Sequence, residues 1–428
     1  MESIYIHNFG GLNNVDISIN SINIFIGRQA SGKSIVVKLI YFFKSIFKDI
    51  FDGAQDGLKK KEIDAVVHRQ FESLFPPEAW PESAFVVRYT TGIDSISIER
   101  IIGGKTRLKI SYSGGINKLF AYSRRLIASA ATATNDSRIF SMKQDNLYSV
   151  RKYHEYINAN YGRYNGTLQV FVPAGRSFFA NLQSSVFSFL SNNSRNIDPF
   201  LIRFGSFYEG VKSIVVRNRN LFQRSLLQDN DYAQNFEEFI NELVRHILNS
   251  RYLREKNKDY LIHDDGRKIN LAFSSSGQQE ILPLLIILKS LTTIKFEGGG
   301  ATLYIEEPEA HLFPSSQKII VELIASIYND DFNDNQFFIT THSPYIISTF
   351  NNLIQGGNMI DDGQDLDTIQ RKVSQFGILK YDQISAYALA DGKVTSLKDD
   401  DSKLLITDII DEVSEELSEE FDNLLNVL

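Results

Sequence analysis

The sequence predicts an α/β fold with an antiparallel β lobe and a helical insertion. Two observations support this fold class. Short apolar runs end abruptly in glycine, acidic or histidine residues, as buried strands do at a functional edge of a sheet, and longer apolar runs between them indicate packed helices. Elsewhere, alternating segments separated by glycines predict antiparallel strands.

Eight consecutive residues match the phosphate-binding pattern G-x-x-x-x-G-K-[ST] at every fixed position. They are Gly27, Arg28, Gln29, Ala30, Ser31, Gly32, Lys33 and Ser34. An apolar strand precedes them and an apolar helix follows, so backbone N–H groups and a helix N-terminus turn towards one point. We expect Lys33 to reach the β- and γ-phosphates of a nucleoside triphosphate and Ser34 to bind Mg²⁺. A glycine-rich turn that matches by chance is the alternative.

A second apolar strand, at residues 301–305, runs directly into Glu306, Glu307, Pro308 and Glu309. P-loop ATPases place a magnesium-side acid and a catalytic base at the end of such a strand, next to the phosphates. We assign Glu306 to the metal side of this site. We assign Glu307 to polarising the attacking water.

Two weaker features lie on either side of the acid pair. Upstream, a serine-glycine segment opens an apolar run; it consists of Ser274, Ser275, Ser276, Gly277 and Gln278. Downstream, another apolar strand ends in a single histidine, His342. Taken alone, the serines are more simply explained as a helix N-cap and the histidine as structural. Their order along the chain, relative to the phosphate loop and the acid pair, is the informative property.

This order of parts resembles the ATP-binding-cassette ATPases. Residues 306–314 resemble the acid motif of the "overcoming lysogenization defect" (OLD) ATPases and of their RecF- and Rad50-like relatives. Residues 4–12 resemble the first strand of these proteins. The resemblance covers roughly residues 1–45 and 260–350, and the residues between them are not placed by it.

The resemblance implies an ABC-type ATPase head, with a mixed sheet and flanking helices, in which two protomers close over ATP. The signature of one protomer, carried by Ser275, Ser276, Gly277 and Gln278, would hold the nucleotide bound to the phosphate loop of the other. ATP and Mg²⁺ are therefore the expected cofactors, and a homodimer or higher homo-oligomer is the expected assembly. Glu306 stands where cassette transporters usually carry aspartate, which suggests a water-mediated contact with magnesium.

Two further residues receive roles through the resemblance. His342 would act in catalysis as a sensor of the γ-phosphate. Residues 168–176 resemble a strand that leads, in many ATPases of this branch, to a Pro-Ala-x-Arg segment. Arg176 would then approach the γ-phosphate or couple the inserted helices to the nucleotide site. A surface arginine after a turn is the alternative.

Composition shifts and turn signals divide the chain. The predicted parts are an ATPase core at 1–48 and 260–398, an insertion and antiparallel β lobe at 49–115, a helical insertion at 116–259 with a core-returning segment near 168–176, and an acidic C-terminal helix at 399–428. Within them we predict a loop or loosely helical stretch at 49–81, strands at 84–90, 95–101 and 106–112, and a hairpin of 260–263 with 268–271.

Composition excludes several classes of protein. The chain has no cysteine, so it forms no disulfide and no thiolate metal site. No apolar run approaches the roughly 18 residues of a membrane span, and the N-terminus lacks a basic-then-apolar signal, so a cytoplasmic protein without membrane contact is expected. The net charge is −7, but residues 399–428 hold eleven acidic residues and one lysine, whereas residues 100–155 hold eleven basic and three acidic residues.

The function expected from the resemblance is that of an ATPase without its own nuclease. The TOPRIM nuclease of OLD proteins needs roughly a hundred residues after the head, and here 86 residues follow His342. We read Asp399, Asp400 and Asp401 as helix N-terminal capping rather than a metal cluster. The leading hypothesis is a sensor subunit that controls a separately encoded effector, a nuclease or toxin, in bacterial antiphage defence. A RecF-like DNA-repair ATPase that clamps DNA is the alternative, and a transporter ATPase is a third, weaker one.

Two surfaces are candidates for partner contacts. In the basic region at 100–155, cationic and aromatic residues alternate in a way that suits a phosphate backbone and stacked bases. They are Arg124, Arg125, Arg151, Lys152, Tyr122, Tyr148 and Tyr153. A solvated helical face or a surface for an acidic protein explains the same residues. From Ser402 onwards an apolar stripe at helical spacing predicts a helix that docks on the head, a second copy or an effector. The stripe consists of Leu405, Ile409, Val413, Leu417, Phe421 and Leu424.

Overall fold

The computed structural model describes residues 1–103, 107–133, 141–181, 197–217, 231–256, 258–296, 298–407 and 420–423. Its strands are β1 (Glu2–His7), β2 (Val15–Ile19), β3 (Ile22–Gly27), β4 (Phe85–Thr91), β5 (Asp94–Ile101), β6 (Arg107–Tyr112), β7 (Leu168–Val172), β8 (Arg251–Glu255), β9 (Lys258–Ile262), β10 (Lys268–Asn270), β11 (Ala301–Glu306), β12 (Gln336–Thr341), β13 (Ile384–Ala390), β14 (Lys393–Ser396), β15 (Lys398–Asp399) and β16 (Leu404–Leu405). Its helices are α1 (Lys33–Gln55), α2 (Lys60–Leu74), α3 (Gly114–Ala133), α4 (Ser141–Tyr161), α5 (Phe178–Asn181), α6 (Pro199–Arg217), α7 (Asp231–Leu248), α8 (Ser276–Thr293), α9 (Pro314–Tyr328), α10 (Pro344–Asp361) and α11 (Leu366–Gln370).

The central sheet has the strand order β14-β13-β3-β12-β11-β7. Its pairs are parallel except for β14, which runs antiparallel to β13 at the edge, so the sheet is mixed. Strands β11 and β12 are buried along their whole length, as expected for parallel strands covered on both faces. The predicted α/β class, with a mixed sheet, flanking helices and an antiparallel β lobe, is confirmed.

Successive residues of the central strands point into two different cores, as the two-residue period of a strand requires. Ile24, Leu303 and Ile339 belong to the core beneath helices α6 to α10. Phe25, Tyr304 and Phe338 belong to a second core around α1. Each strand therefore ties two layers of the molecule together.

Helix α1 lies between the central sheet and a five-stranded antiparallel sheet of order β2-β1-β4-β5-β6. Buried side chains from both sheets surround it, including Ile4, Tyr89 and Phe338. A polar network also crosses this core: the ammonium of Lys44 donates to Glu2 Oε2 at 2.9 Å and to Gln336 Oε1 at 2.8 Å. The helix that follows the phosphate loop is thus held between the two sheets.

Most of the predicted elements are observed. The three strands of the β lobe appear as β4, β5 and β6, the hairpin appears as β9 and β10 with β8 added, and the core-returning segment appears as β7 between α4 and α5. Strand β7 joins the central sheet beside β11, with Val172 opposite Ile305.

Two expectations about organisation are wrong. The boundary after residue 48 falls inside α1. The stretch at 49–81, expected as a loop or loosely helical, continues that helix and adds α2. The first strand, assigned to the ATPase core, pairs with β2 and β4 in the β lobe. The remaining division of the chain stays a prediction.

The C-terminal helix predicted from Ser402 does not begin there. Residues 398–405 form the hairpin of β15 and β16, and Asp399 accepts hydrogen bonds from the N–H of Asp401 and the hydroxyl of Ser402 within its turn. Leu405 is buried against the main core. Within the described residues, Asp399 therefore stabilises the turn of this hairpin rather than the N-terminus of a helix. Of the rest of the apolar stripe, Ile409, Val413, Leu417 and Leu424 lie outside the described residues.

Candidate nucleotide-binding and catalytic site

Three strands of the central sheet end at one edge, and each delivers a predicted site residue there. In the parallel register Thr341 lies opposite Ile26, and Glu306 lies opposite Thr340. The phosphate loop after β3, the acid pair after β11 and His342 after β12 therefore meet. The carboxyl edge of a parallel sheet is where α/β proteins bind their ligands.

The phosphate loop requires glycine at two positions for different reasons. A Cβ at Gly27 would lie 2.3 Å from Leu389 O of the neighbouring strand, so only glycine permits this backbone approach. Gly32 has φ +98°, in the left-handed region, and precedes the first residue of α1. Gln29 and Ala30 are exposed at the loop's tip, and Ala30 also has a positive φ of 60°. The loop thus presents its backbone at the N-terminus of α1, as phosphate binding needs.

Lys33 extends along the loop towards the other two strand ends. Its Nζ donates to Gly27 O at 2.7 Å and to Arg28 O at 2.9 Å, and lies 3.5 Å from Ser31 Oγ. The residue is only 6% exposed. Burial lowers the pKa of the Lys33 ammonium, and the carboxylates of Glu307 and Glu309 oppose that shift. The cation is thus held near two acids at the end of β11 and at the loop where phosphates bind.

His342 lies between the lysine and the predicted base. Its Nε2 is 3.3 Å from Lys33 Nζ and 3.5 Å from Glu307 Oε1. The side chains of His342 and Glu307 are 35% and 41% exposed, so both remain accessible to a ligand and to water. The three predicted residues therefore converge on one point.

Glu306 and Ser34 fit a magnesium ion of the kind found in phosphate-transfer sites. Among the described residues no group of three or more His, Cys, Asp or Glu side chains could hold a metal by itself. Mg²⁺ is commonly bound through one or two carboxylates together with substrate phosphates. Glu306 ends β11 and accepts a hydrogen bond from Ala174 N at 3.3 Å, and Ser34 is exposed in the first turn of α1. One carboxylate at the end of β11 and one hydroxyl after the phosphate loop are donors of the kind that such an ion takes.

Glu309 is a site residue that the sequence interpretation left without a role. Its Oε1 accepts from Thr341 Oγ1 at 2.6 Å and from His342 N at 2.8 Å. Its other oxygen, Oε2, is buried and has no hydrogen-bond partner in the described part of the chain. Glu309 therefore fixes the backbone from which His342 projects. The Glu-x-x-Glu spacing from Glu306 was the only sequence signal for it.

The signature residues lie at the N-terminus of α8, as predicted. Ser275 is the N-cap, and its Oγ accepts from Gln278 N at 3.3 Å, while Gln278 Oε1 accepts from Ser275 N. Gln278 also donates to Leu248 O at 2.7 Å, so it is engaged within its own chain. Ser275 and Ser276 are exposed. Their hydroxyls are the accessible part of the signature, and their role towards a nucleotide stays a prediction.

Arg176 lies inside the protein rather than on its surface. It is 0% exposed, so the surface arginine is wrong, and its guanidinium donates to four backbone carbonyls. Its Nε lies 3.3 Å from Glu280 Oε1, with both side chains buried. Burial lowers the pKa of Arg176, and Glu280 opposes this shift most strongly. These internal contacts favour the coupling role over an approach to the γ-phosphate, and both stay predictions.

Among the described residues, only part of the predicted base-stacking surface of the basic region is exposed and unpaired with acidic side chains. Tyr153 is buried and donates to Phe47 O, and Tyr122 stacks on Tyr156 with ring centroids 3.9 Å apart. Both Arg151 and Lys152 pair with Glu155, at 3.0 Å and 2.7 Å. Two exposed cations on α3, Arg124 and Arg125, and the exposed ring of Tyr148 on α4 remain. Residues 104–106 and 134–140 lie outside the described residues.

Among the helices that the structure describes, none combines the length and apolar character needed to span a bilayer.

The chain matches one known protein family and is similar to several solved structures. The AAA ATPase domain family matches residues 1–171 and 206–347, which contain the phosphate loop, the signature, the acid pair and His342 but not Arg176. The SMC head domain from Thermotoga maritima is similar at 10% identity and a TM-score of 0.37, over 92% of this chain and 97% of that chain. A Smc head domain with an extended coiled coil, bound to the C-terminal domain of ScpA derived from Pyrococcus furiosus, is similar at 13% identity and a TM-score of 0.35, over 99% and 100%. The recombination mediator protein RecF-ATPrS is similar at 14% identity and a TM-score of 0.31, over 92% and 97%.

Proposed function

This chain belongs to the AAA ATPase domain family, and we propose that it hydrolyses ATP at the carboxyl edge of its central sheet and uses the reaction to control a partner protein. The observation that carries the first part is the position of His342 Nε2, within 3.5 Å of both Lys33 Nζ and Glu307 Oε1. A phosphate-binding cation, a carboxylate base and an imidazole at one helix N-terminus are the groups that phosphoryl transfer to water needs.

Each residue has a separate task in this proposal. The N–H groups of the phosphate loop and the ammonium of Lys33 hold the β- and γ-phosphates. Glu307 accepts a hydrogen bond from the attacking water and orients it, because its side chain is exposed beside the lysine. His342 donates to the γ-phosphate once its contact with the lysine is exchanged for one with the ligand. Mg²⁺, held by Ser34 and Glu306, would neutralise charge on the phosphates.

Two copies of the chain would complete the site, as the resemblance to cassette ATPases implies. The exposed hydroxyls of Ser275 and Ser276 suit phosphate contacts from a second protomer. One exposed aromatic side chain, Phe273, lies two residues before Ser275 and is 84% exposed. A second, Phe313, follows the acid pair at the N-cap of α9 and is 76% exposed. Large exposed rings next to a proposed ligand face support a protein contact there.

Purified protein with ATP and Mg²⁺ tests both parts. Phosphate release that depends on Mg²⁺, together with a doubling of mass in the presence of ATP, is the expected result. No nucleotide binding by the folded chain would overturn the proposal, and hydrolysis by a strict monomer would overturn the shared site alone.

The finer proposal is that the ATPase senses infection and controls a separately encoded nuclease or toxin in bacterial antiphage defence. The resemblance of residues 306–314 to the acid motif of OLD ATPases supports it. We expect the product of a neighbouring gene to co-purify with this chain, and phage resistance to require both proteins and an intact Lys33. Resistance that survives the Lys33→Ala substitution would contradict this role.

A DNA-repair role of RecF type remains the second candidate, because Arg124 and Arg125 are exposed side by side on α3. Backbone binding to DNA must weaken steeply as salt rises, because it releases counterions. Gel-shift assays at several salt concentrations, with the double substitution of these arginines by alanine, decide the matter. No shift at low salt excludes this candidate.

A further inference from the structure

Arg176 is a buried arginine that binds backbone carbonyls of two different parts of the site. Its Nη1 donates to Glu306 O at 2.7 Å, and its Nη2 donates to Glu307 O at 3.0 Å. On the other side, Nε donates to Glu280 O at 3.1 Å, in the second turn of α8. One rigid guanidinium therefore joins the predicted catalytic pair to the signature helix.

The carboxylate of Glu280 also joins α8 to the segment after β7. Its Oε1 accepts from Arg176 N and its Oε2 accepts from Ser177 N, both at 2.8 Å. The side chains of Arg176 and Glu280 are 0% and 2% exposed. Hydrogen bonds between charged groups are strong where water is excluded. Removing one partner would leave the other charge buried without a counter-charge. The segment after β7 and the first turns of α8 therefore move together.

Glu307 has a strained backbone conformation, which the hydrogen bonds around it must stabilise. Its φ is +46°, in the left-handed region that residues other than glycine, asparagine and aspartate seldom adopt. Its N–H donates to Thr340 O at 2.9 Å, and its carbonyl accepts from Ala310 N at 3.0 Å and from Arg176 Nη2. Arg176 thus supplies a charged anchor to the residue whose carboxylate has to meet the water.

A second contact joins the same two parts. A Cβ at Gly277 would lie 2.8 Å from His311 O, so the signature turn packs directly on the loop that follows the acid pair. The signature and the acid loop therefore touch at Gly277 as well as through Arg176. A displacement of the first turn of α8 would therefore be transmitted to Glu307 through both contacts.

We infer that Arg176 is a positioning residue, which sets the direction of Glu307 and transmits engagement of the signature turn to it. This inference rests on the proposed ATP hydrolysis. The coupling would therefore run within one protomer. It would connect the signature turn, which a second copy would touch, to Glu307, which would act on water.

The test is a double-mutant cycle between Arg176→Lys and Glu307→Gln. Lysine keeps the positive charge but lacks the fork that reaches the two carbonyls together. In the wild-type background we expect ATP affinity to change little and kcat to fall by about 10²-fold, the effect of a small displacement of a reacting group. In the Glu307→Gln background the same substitution should cause no further loss, because Arg176 acts through Glu307.

A purely structural role predicts another pattern, in which kcat falls equally in both backgrounds and ATP affinity falls with it. Glu280→Gln is the second variant, since it keeps an acceptor oxygen and loosens the signature end of the link; it should show the same selective loss of kcat. Asp259→Asn is the matched control, because it weakens a buried ion pair with Lys212 outside the site, 2% exposed on both sides. It should lower thermal stability without a selective effect on kcat.

The outcomes separate this inference from the proposed function. No ATP hydrolysis by the wild-type protein overturns the function. Hydrolysis by the wild type with unchanged kcat in Arg176→Lys overturns the positioning role. A loss in Arg176→Lys with wild-type kcat in Glu280→Gln overturns the coupling to the signature helix.

Discussion

Lys33 Nζ lies 3.3 Å from His342 Nε2, although 309 residues separate the two in sequence. The contact follows from the sheet, because β3 and β12 are parallel neighbours whose carboxyl ends meet at one edge. The first turn of α1 and the start of α10 are thereby brought together. The imidazole consequently lies between the cation that would bind phosphate and the carboxylate that would activate water.

Lys33→Ala should abolish most nucleotide binding, because the β- and γ-phosphates lose their main cation. Hydrogen bonds between charged groups contribute about 2–3 kcal/mol, so ATP affinity should fall by about 10²-fold. Titration with a fluorescent ATP analogue measures this directly. Lys48→Ala is the control, since Lys48 is an exposed lysine on the same helix. Equal affinity in Lys33→Ala and wild type would refute the assignment.

His342→Ala should reduce hydrolysis by about 10²-fold, the cost of removing one donor to a transition-state oxygen, and should change ATP binding little. Steady-state phosphate release and nucleotide titration separate the two effects. A protein that becomes insoluble, with no intermediate phenotype, would instead support a structural histidine.

Glu309→Ala should impair hydrolysis in the same way, since it removes the acceptor of Thr341 Oγ1 and His342 N. Glu309→Gln keeps an acceptor at that position and should retain more activity than the alanine variant. Equal activities in the two variants would show that the hydrogen bonds from Thr341 and His342 to Glu309 do not contribute to hydrolysis.

The sequence was sufficient to single out the residues that meet at this edge of the sheet. The phosphate loop and the acid pair combine a strand, a fixed spacing and particular residue types, all within a few positions. Glu309 and the partner of Arg176 could not be found this way. Their hydrogen bonds join residues 33 and 104 positions apart, so they exist only once β11, β12 and α8 are packed together.

The C-terminal error has a related cause. The apolar residues after Ser402 have helical spacing, but the backbone of Leu405 pairs with Lys398 and with the amide of Asn351. Tertiary hydrogen bonds and burial override the local preference there.

Asp49 should make stability depend on pH. Burial raises the pKa of this carboxyl to about 7, with Arg203 opposing the shift, so the folded state binds a proton that the unfolded state releases near pH 4. The free energy of unfolding should therefore fall as pH rises from about 4 to about 7.

Asp49→Asn removes this titration, so the variant should gain up to about 4 kcal/mol over wild type at pH 8 and little at pH 4. Chemical denaturation at the two pH values checks it. Asp56→Asn, at an exposed position that ends the same helix, is the control. A stability difference that is the same at both pH values would show that Asp49 titrates normally in the folded protein.

Deleting residues 402–428 should destabilise the protein more than deleting residues 408–428. The longer deletion removes the buried Leu405 and its two hydrogen bonds with Asn351, each 2.8 Å. Burial of one leucine and two hydrogen bonds correspond to about 3 kcal/mol. Denaturant unfolding of both truncations gives the difference. Equal stabilities would mean that the β15–β16 hairpin adds nothing to the core.

The rate of ATP hydrolysis by Glu307→Gln, at saturating ATP and Mg²⁺, tests the proposed catalytic site most directly. The amide keeps the size of the side chain and loses its ability to accept a proton from water, so binding should persist. We predict wild-type ATP affinity, hydrolysis slower by about 10²- to 10⁴-fold and an accumulated ATP-bound dimer. Hydrolysis at the wild-type rate would contradict the assignment of Glu307 as the catalytic base, and with it the site described at this edge of the sheet.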